Sequence, residues 1–468
     1  MPLRHTLSLG VVALLAAAFV FLVWPAVAAQ PQPLPQPQPT PVPVPGNFYQ
    51  QPVGGISINA KGLLDNATVA ALNELAKARA KTLAPVSADL NRSVALRKIS
   101  LRGLEEAIQK CIDQKQPLPD EVLYLAGLQQ IRYVFVYGDQ KDIVLAGPGE
   151  GWKADAKGNI VGATTGRPVL LLDDLLIALR FARVDAGGEI TCSIDPTPEG
   201  IQRLRAHVAK LRTIGKDPKK TAAGIEQALG RQTITLHGVP DESHFARVLV
   251  AADYRMKRLA MDFEPSPIKG LPSFLQLMKV EGHGMKNMLP RWWLAPQYEA
   301  IFRDADGLAW ELRGASVKAM TEADFLTAAG NVQHSGKADP TAQQWADNMT
   351  RQYDRLSTAE PIFGEVRNCA DLAVVGALIA KENLIAKAGC KLPLLLDESL
   401  LKTGALPAPK EIDSKVSMLK KGDDWVISAS GGIKIALHAI LGKIETSEKL
   451  PQVRNEAALA VHKDWWWN

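Results

Sequence analysis

The sequence predicts an α+β protein in which mixed helices and mostly antiparallel sheets surround a central pair of β-α units. Short apolar segments of period 2 alternate along the chain with longer segments of helical period. The strand-like segments Ile131–Tyr137 and Asp142–Ala146 flank four turn residues, which is typical of a hairpin. Two β-α units follow one another in the middle, beginning with the strands Glu189–Ile194 and Gln232–His237. Together these patterns favour α+β over an all-helical or all-strand fold.

The first third of the folded part is predicted to begin with a short strand ending at Ile58. Asp65 then fits the N-cap of a helix whose apolar positions begin at Val69. Helices are predicted over about 101–113 and 120–130. After the hairpin, we expect a glycine-rich loop over 147–166 that leads into an apolar segment over 168–181.

In the middle, Pro196-Thr197-Pro198 begins the helix of the first β-α unit, and Asp241 is the expected N-cap of the second helix. The chain is predicted to return as a strand over 258–263. Later segments are predicted as paired strands over 291–302 and 308–318, helices over 341–356 and 361–388, and strands over 415–419, 425–430 and 433–437, with Gly431-Gly432 as a tight turn.

The N-terminal segment has the pattern of an export signal followed by a tether. Arg4 and His5 precede an apolar run over 7–23, Pro25 ends that run, and the small residues 26–28 suit a signal peptidase. An uncleaved anchor is the alternative, because the run is only slightly shorter than a membrane span. No cysteine lies near the break, which argues against a lipid anchor. The repeat over 30–45 favours an extended polyproline conformation.

Composition and length indicate a globular protein of several domains. Apolar residues make up 47% of the chain and charged residues 22%, and the net charge of +5 gives no case for nucleic acid as a general partner. We expect a signal peptide over 1–29, a Pro/Gln-rich linker over 30–46, an N-terminal α+β domain over 47–186, a central β-α-β domain over 187–285 and a C-terminal α+β domain over 286–468. The longest apolar run after the signal, 372–380, is too short to span a membrane.

The four cysteines are predicted to be free thiols. Cys111, Cys192, Cys369 and Cys390 form no CxxC pair, which argues against thiolate metal binding. A continuous helix between Cys369 and Cys390 would hold them about 30 Å apart, beyond disulfide reach. The chain also lacks a GxSxG elbow, an HExxH helix and a P-loop, so we predict no cofactor and no metal.

One resemblance is specific enough to name. The run GVPDESHFARVLVAADYRMKRLAM over 238–261, the following KGLPSFL, the triplet Arg291-Trp292-Trp293 and the tryptophan-rich end resemble a family of exported planctomycete proteins. That family is defined only by a domain of unknown function. The resemblance implies bacterial export and a shared architecture for nearly everything after the tether. It implies no activity, cofactor or catalytic residue.

Two residues are candidates for chemistry. His283 lies in Glu281-Gly282-His283-Gly284, where a loop histidine beside Glu281 would serve as a general base or a metal ligand. The alternative is a solvent-facing loop residue. Another histidine, His244, shares a predicted helix with Asp253, but nine residues place them about two and a half turns apart, so they cannot touch. Ser417–Lys420 matches an SxxK motif in a strand-like segment, whereas that nucleophile needs a helix start.

Basic and tryptophan-rich segments are candidates for binding. Arg203, Arg205, Lys210 and Arg212 belong to a basic helix, which is either a docking surface for an anionic envelope polymer or a solvated helix face. Neighbouring strand residues point to opposite faces, so one of Trp292 and Trp293 is expected inside and the other at a surface that contacts a partner. The run Trp465–Trp467 is either a plug filling a groove or an interface.

Two function classes follow from these observations. We predict an exported, periplasmic or extracellular protein that serves as a non-catalytic interaction or structural module, with an envelope protein or polymer as partner. The alternative is an extracytoplasmic hydrolase acting on an envelope polymer or peptide through Glu281 or His283. The sequence carries no signal for an oligomeric state.

Overall fold

Helices and mostly antiparallel sheets make up the computed structural model, which confirms the predicted α+β class. The structure describes residues 51–210, 218–281, 288–314, 317–326, 332–334, 336–416, 430–458 and 466–468. All of these residues fall within one compact unit of the chain.

The elements of the first part of the chain are small strands and short helices. They are β1 (Ile56–Ile58), β2 (Leu64–Asn66), α1 (Val69–Thr82), α2 (Ala88–Asn91), β3 (Val94–Ser100), α3 (Leu101–Asp113), α4 (Asp120–Leu123), β4 (Tyr133–Tyr137), β5 (Asp142–Gly149), β6 (Trp152–Ala154), β7 (Ile160–Gly162) and α5 (Leu172–Val184).

The middle contains the two predicted β-α units and the start of a longer strand series. Its elements are β8 (Glu189–Pro196), α6 (Pro198–Lys210), α7 (Pro218–Leu229), β9 (Arg231–His237), α8 (His244–Ala260), α9 (Phe274–Glu281), β10 (Met288–Pro296), β11 (Ala300–Arg303), β12 (Ala309–Arg313), β13 (Val317–Leu326) and β14 (Val332–His334).

The last part consists mainly of helices. It contains α10 (Pro340–Arg351), α11 (Tyr353–Ala359), α12 (Pro361–Lys381), α13 (Leu384–Ala388), α14 (Pro393–Leu396), β15 (Glu411–Asp413), β16 (Ser430–Ala436), α15 (Leu437–Ile440), β17 (Ile444–Thr446) and α16 (Leu450–Ala457).

Two large sheets organise these elements. The seven-stranded sheet has the order β14-β13-β10-β16-β8-β9-β15, and the six-stranded sheet has the order β17-β11-β12-β4-β5-β3. Pairing is parallel between β10 and β16 and between β11 and β17, and antiparallel between the other neighbours in these sheets. Two small hairpins, β1-β2 and β6-β7, complete the strand pairing of the described residues.

The sheets join segments that the sequence assigns to different domains. The seven-stranded sheet takes β8 and β9 from the predicted central domain and its other five strands from the predicted C-terminal domain. The six-stranded sheet combines β3, β4 and β5 with β11, β12 and β17. Backbone hydrogen bonds within these sheets therefore cross both predicted boundaries, 186/187 and 285/286.

Three helices form the centre of the hydrophobic core. Helix α12 is buried along almost its whole length and packs against α5 and α8. This confirms the buried helix that its all-round apolar sequence predicts. The predicted single helix 361–388 is nevertheless interrupted at Asn383, whose left-handed backbone (φ 52°) separates α12 from α13.

Two predicted helix caps are wrong by a few residues. Asp65 lies in β2, and the hydroxyl of Thr68 accepts the amide of Ala71 at the start of α1. Similarly, the hydroxyl of Ser243, and not Asp241, accepts the amide of Ala246 at the start of α8. In both cases a hydroxyl closer to the first helical turn satisfies the free amide groups.

Several predicted elements change their extent or type. The helix over 120–130 is shortened to α4 followed by a 3-10 turn at Leu125–Gly127. The predicted loop over 147–166 contains the end of β5 and the hairpin β6-β7. Its glycines permit close backbone approach, since a Cβ at Gly147 would lie 2.0 Å from the Gln130 carbonyl oxygen.

The predicted strand over 258–263 is wrong, because the apolar stripe of α8 continues through Leu259 and Ala260 to the helix end. The predicted helix over 341–356 is two helices, α10 and α11, separated at Gln352.

Strand assignments near the tryptophan pair also differ from the prediction. The segment 291–302 contributes β10 to one sheet and β11 to the other. β11 pairs with β12 across the Asp304–Gly307 turn, and β10 pairs with β13, where Ala295 lies opposite Lys318. Gly431 and Gly432 lie inside β16 and do not form a turn, and a Cβ on either would lie within 2 Å of a carbonyl oxygen of a neighbouring strand. The predicted strands 415–419 and 425–430 lie largely outside the described residues.

Residues 466–468 extend the six-stranded sheet at its β3 edge. The amide of Ser100 donates to Trp466 O at 2.7 Å, and the amide of Asn468 donates to Lys98 O at 3.0 Å. Trp466 is buried, and Arg97 lies 5.7 Å from the ring centroid of the half-exposed Trp467. Of the two interpretations of this run, the contacts favour the plug, although Trp465 lies outside the described residues.

The last two features of the fold are the state of the cysteines and the length of the helices. All four cysteines are free, and Cys192, Cys369 and Cys390 are buried. Among the helices of the described residues, none combines the length and the hydropathy needed to cross a membrane.

Candidate functional site

The predicted chemical candidates, Glu281 and His283, lie largely outside the described residues. The backbone of Glu281 ends α9, whereas its side chain and the whole of His283 lie outside the described residues. Ser417 and Lys420 of the SxxK motif lie outside them as well. These positions therefore remain sequence-based hypotheses.

The basic helix is α6, and one of its cations has a structural role. Arg203 donates to the carbonyl oxygens of Ala228 at 3.0 Å and Leu229 at 3.3 Å, which satisfies the end of α7. Arg205 is half-buried and Lys210 is exposed, whereas Arg212 lies outside the described residues. Leu204 of α6 packs with Ile225, Leu229 and Val416, so the basic helix adjoins the segment that follows β15.

The tryptophan pair alternates across its strand as predicted. Trp292 is fully buried, with its ring 4.9 Å from Phe274 and 5.2 Å from Trp345 between centroids. Trp293 is half-exposed on the opposite face of the seven-stranded sheet, and the Arg291 guanidinium lies 5.5 Å from its ring centroid. Of the two, only Trp293 is open to a partner.

An open cleft beside α8 was not predicted from the sequence. It has an empty volume of about 460 Å³ and lies between the C-terminal half of α8 and the strands β8, β9 and β15. Its apolar and aromatic walls come from Ile194, Tyr254, Met261, Phe263 and Ile412, and its polar lining from Gln232, Lys257, Arg258, Asp413 and Lys415.

The cationic side chains of the cleft differ in the contacts that hold them in place. Lys257 Nζ donates to Ile194 O at 2.9 Å, Asp253 Oδ2 at 3.0 Å and Gly431 O at 3.4 Å, so it fixes α8 to the sheet. Arg258 pairs with Glu264 and lies over the rings of Tyr254 and Phe263.

Lys415 stands at the mouth of the cleft with its side chain 61% exposed, and its Nζ lies 3.7 Å from Glu226 Oε2. Among the described residues, this loose contact is the one that holds the ammonium, so Lys415 is the cation best placed to meet an anionic ligand.

Asp253 is the buried carboxylate behind this cleft. Its Oδ2 accepts from Lys257, while Oδ1 has no hydrogen-bond partner within the part of the chain that the structure describes. Burial raises the pKa of Asp253 to about 6 against the opposing charge of Lys257. The pair holds the base of the cleft together, and the carboxylate titrates well above the usual aspartate range.

A second polar centre lies at the other end of α8. His244 and Asp253 lie in the same helix but contact different groups. Asp253 pairs with Lys257, whereas His244 Nδ1 lies 3.0 Å from Asp174 Oδ2. Glu365 of α12 contributes its charge to the same centre. Sequence reasoning missed this contact because Asp174 and His244 are 70 residues apart and no motif connects them. Within the described ranges, no group of three or more His, Cys, Asp or Glu side chains is arranged to hold a metal ion.

Comparison with known families identifies one segment. Residues 192–274 match a family model described as "Protein of unknown function (DUF1598)", which agrees with the resemblance to a domain of unknown function. The matched segment supplies seven of the ten residues that line the cleft. No curated protein and no solved structure matches the chain.

Proposed function

We propose that this chain is an exported interaction module of a bacterial cell envelope, tethered through its Pro/Gln-rich segment and binding an anionic group in the cleft beside α8. The resemblance to exported planctomycete proteins and the signal-like residues 1–29 support export to the periplasm or the extracellular space. The segment 30–46 then acts as a spacer for the folded body.

The cleft is the observation that carries the binding role. Tyr254 and Phe263 line the cleft with Arg258 over their rings, and Lys415 adds an exposed positive charge. Asp413 also lines the cleft, and Glu264 and Glu226 pair with Arg258 and Lys415. Helix α6, with Lys210 on its exposed surface, adjoins the same region through Val416. This combination suits an acidic group on a bulky chain, such as a uronate or other acidic unit of an envelope polymer.

Charge reversal at the cleft mouth tests this binding role. The Lys415→Glu protein should bind polygalacturonate, a model anionic polymer, at least fivefold more weakly than the unsubstituted protein, as measured by isothermal titration at low salt. Lys410→Glu is the matched control, because Lys410 is 81% exposed, precedes β15 and does not line the cleft. An equal loss in both variants, or no binding by the unsubstituted protein, would reject the cleft as the binding site.

Export is tested separately in the native host. The mature protein should be recovered from the extracytoplasmic fraction, with an N-terminus close to Ala29 by mass spectrometry. Recovery of the full-length chain from the cytoplasm would contradict the export proposal without bearing on the cleft.

A further inference from the structure

The base of the cleft beside α8 holds a charged pair whose two members have different surroundings. Lys257 lines the cleft, and its side chain is 10% exposed. Asp253 lies one turn earlier on the helix with its side chain fully buried, and its Oδ2 is 3.0 Å from Lys257 Nζ. A change in the charge of this carboxyl group therefore changes the net charge at the base of the cleft.

Lys257 also has partners that do not depend on the charge of Asp253. Its Nζ donates to Ile194 O at 2.9 Å and to Gly431 O at 3.4 Å. These carbonyl groups belong to β8 and β16, which pair with each other in the seven-stranded sheet. The ammonium therefore stays in place when Asp253 becomes neutral, and its positive charge is then no longer balanced by that carboxylate.

Asp253 has the surroundings of a carboxyl group that becomes neutral in mild acid. One of its two oxygen atoms, Oδ1, is buried and has no hydrogen-bond partner in the described chain. A buried carboxylate with an unpaired oxygen atom favours its protonated form, because the charged form loses its solvation. Burial accordingly raises the pKa of Asp253 to about 6, although Lys257 opposes the shift.

The charged groups of the sheet act on Asp253 in both directions. After burial and the opposing charge of Lys257, Asp195 on β8 raises the pKa of Asp253 and Arg291 on β10 lowers it. Cys192, also on β8, lies near the same carboxyl group, and burial raises the pKa of its thiol well above the usual value. The thiol therefore stays neutral in mild acid, and the charge of Asp253 is the one that changes.

The titratable groups on the helices that pack against α8 belong to its other end. Asp174 of α5 and Glu365 of α12 act on His244, which lies nine residues before Asp253. Nine residues of helix correspond to about 14 Å. The described side chains of α9, at 274–278, include no titratable group. Within the described residues, Asp253 is therefore the carboxyl group that sets the charge at the base of the cleft.

We propose that the cleft binds its anionic ligand more tightly in mild acid, because Asp253 then becomes neutral and leaves the charge of Lys257 to attract the ligand. This inference rests on the binding role proposed for the cleft. Protonation and binding are linked, so a ligand that prefers the protonated form causes proton uptake when it binds. The carboxyl group is mostly neutral at pH 5.0 and mostly ionised at pH 7.5, so affinity for an anion falls as the pH rises between these values.

Isothermal titration with polygalacturonate at pH 5.0 and pH 7.5, at one low salt concentration, tests this pH dependence. Carboxyl groups of the polymer are ionised at both pH values. In the unsubstituted protein, Kd should be at least fivefold lower at pH 5.0 than at pH 7.5. In Asp253→Asn, which is neutral at both pH values, the two Kd values should differ less than twofold and should match the low-pH value of the unsubstituted protein.

Asp413→Asn is the matched control, because Asp413 also lines the cleft but its side chain is 68% exposed. It removes one negative charge from the same cleft and leaves the buried pair intact, so the fivefold ratio between the two pH values should persist. A ratio that persists in Asp253→Asn, or that is below twofold in the unsubstituted protein, would overturn this inference and leave the binding role intact. Absence of binding at both pH values would reject the binding role and this inference together.

If Asp253→Asn does not fold, proton uptake by the unsubstituted protein replaces that variant. Titrations at pH 6 in two buffers with different ionisation enthalpies should give different heats, because binding takes up protons from the buffer. Binding with equal heats in both buffers would overturn the inference.

Discussion

At the residue scale, two adjacent tryptophans of one strand have different roles. Trp292 fills the core between Phe274 and Trp345, whereas Trp293 lies half-exposed beside Arg291. Strand alternation predicts that they face opposite ways, but only the helices α9 and α10 on one face decide which ring is buried. Neighbouring elements likewise bury Asp253, and this burial raises the pKa of its carboxyl group.

Alanine substitution should separate the two tryptophans. We expect Trp292→Ala to lower the free energy of unfolding by about 3–5 kcal/mol, because it leaves a large cavity in the core. Trp293→Ala, its matched control, should cost about 1 kcal/mol or less, since a surface cation–π contact is weak. Urea denaturation followed by circular dichroism measures both, and equal losses would contradict the assignment of faces.

The raised pKa of Asp253 predicts a pH effect on stability. Because the pKa is about 6 in the folded state, the folded protein binds more protons than the unfolded chain between about pH 4 and pH 6. The contribution of this group to stability is therefore present at low pH and is lost as the pH rises through 6. Asp253→Asn should remove this component from the pH dependence of Tm.

Asp139→Asn is the control for that measurement, because Asp139 is exposed in the hairpin turn between β4 and β5. The Tm of Asp139→Asn should equal that of the unsubstituted protein at every pH. A difference in Tm between Asp253→Asn and the unsubstituted protein that stays constant from pH 4 to pH 7 would be evidence against the raised pKa.

At the element scale, glycines permit β16 to lie between β10 and β8. A Cβ at Gly431 would lie 1.6 Å from Trp292 O, and one at Gly432 would lie 1.9 Å from Cys192 O. The sequence pattern Gly-Gly is typical of a turn, yet here it serves close strand approach. In helix α3, by contrast, the local pattern predicts the structure correctly. Its strong amphipathic period alone predicts the bounds Leu101–Asp113.

Substitution at Gly432 tests this close approach. Gly432→Ala should destabilise the protein by about 3 kcal/mol or prevent folding, because the β8 backbone at Cys192 and Ser193 cannot move away without breaking its pairing with β16. Gly187→Ala is the control, since nothing lies within 4 Å of the position that its Cβ would occupy. Soluble yield and Tm are the readouts, and similar values for both variants would contradict the strand order β10-β16-β8.

At the scale of the whole molecule, long-range pairing unites the chain. Strands from the first and last thirds share the six-stranded sheet, and residues 466–468 cover its β3 edge. An uncovered strand edge presents free amide and carbonyl groups that pair with other chains. The short segment is therefore expected to protect the sheet as well as to bury Trp466.

Deletion of residues 466–468 should lower Tm and increase light scattering on heating, because it exposes the β3 edge. Trp467→Ala is the matched control, as it keeps the backbone pairing with β3 and removes only side-chain contacts, with Arg97 and with the edge of the core. We expect it to aggregate no more than the unsubstituted protein. A deletion variant with unchanged Tm and scattering would show that this pairing contributes little to stability.

The sequence by itself determined the features that arise from nearby residues. The α+β class, the hairpin β4-β5, the helix α3 and the alternation of Trp292 and Trp293 all follow from local periodicity and turn chemistry. Only the tertiary structure decided which strands share a sheet, where the cleft opens and that His244 meets Asp174. These features depend on contacts between residues far apart in sequence, where burial and pairing override local preference.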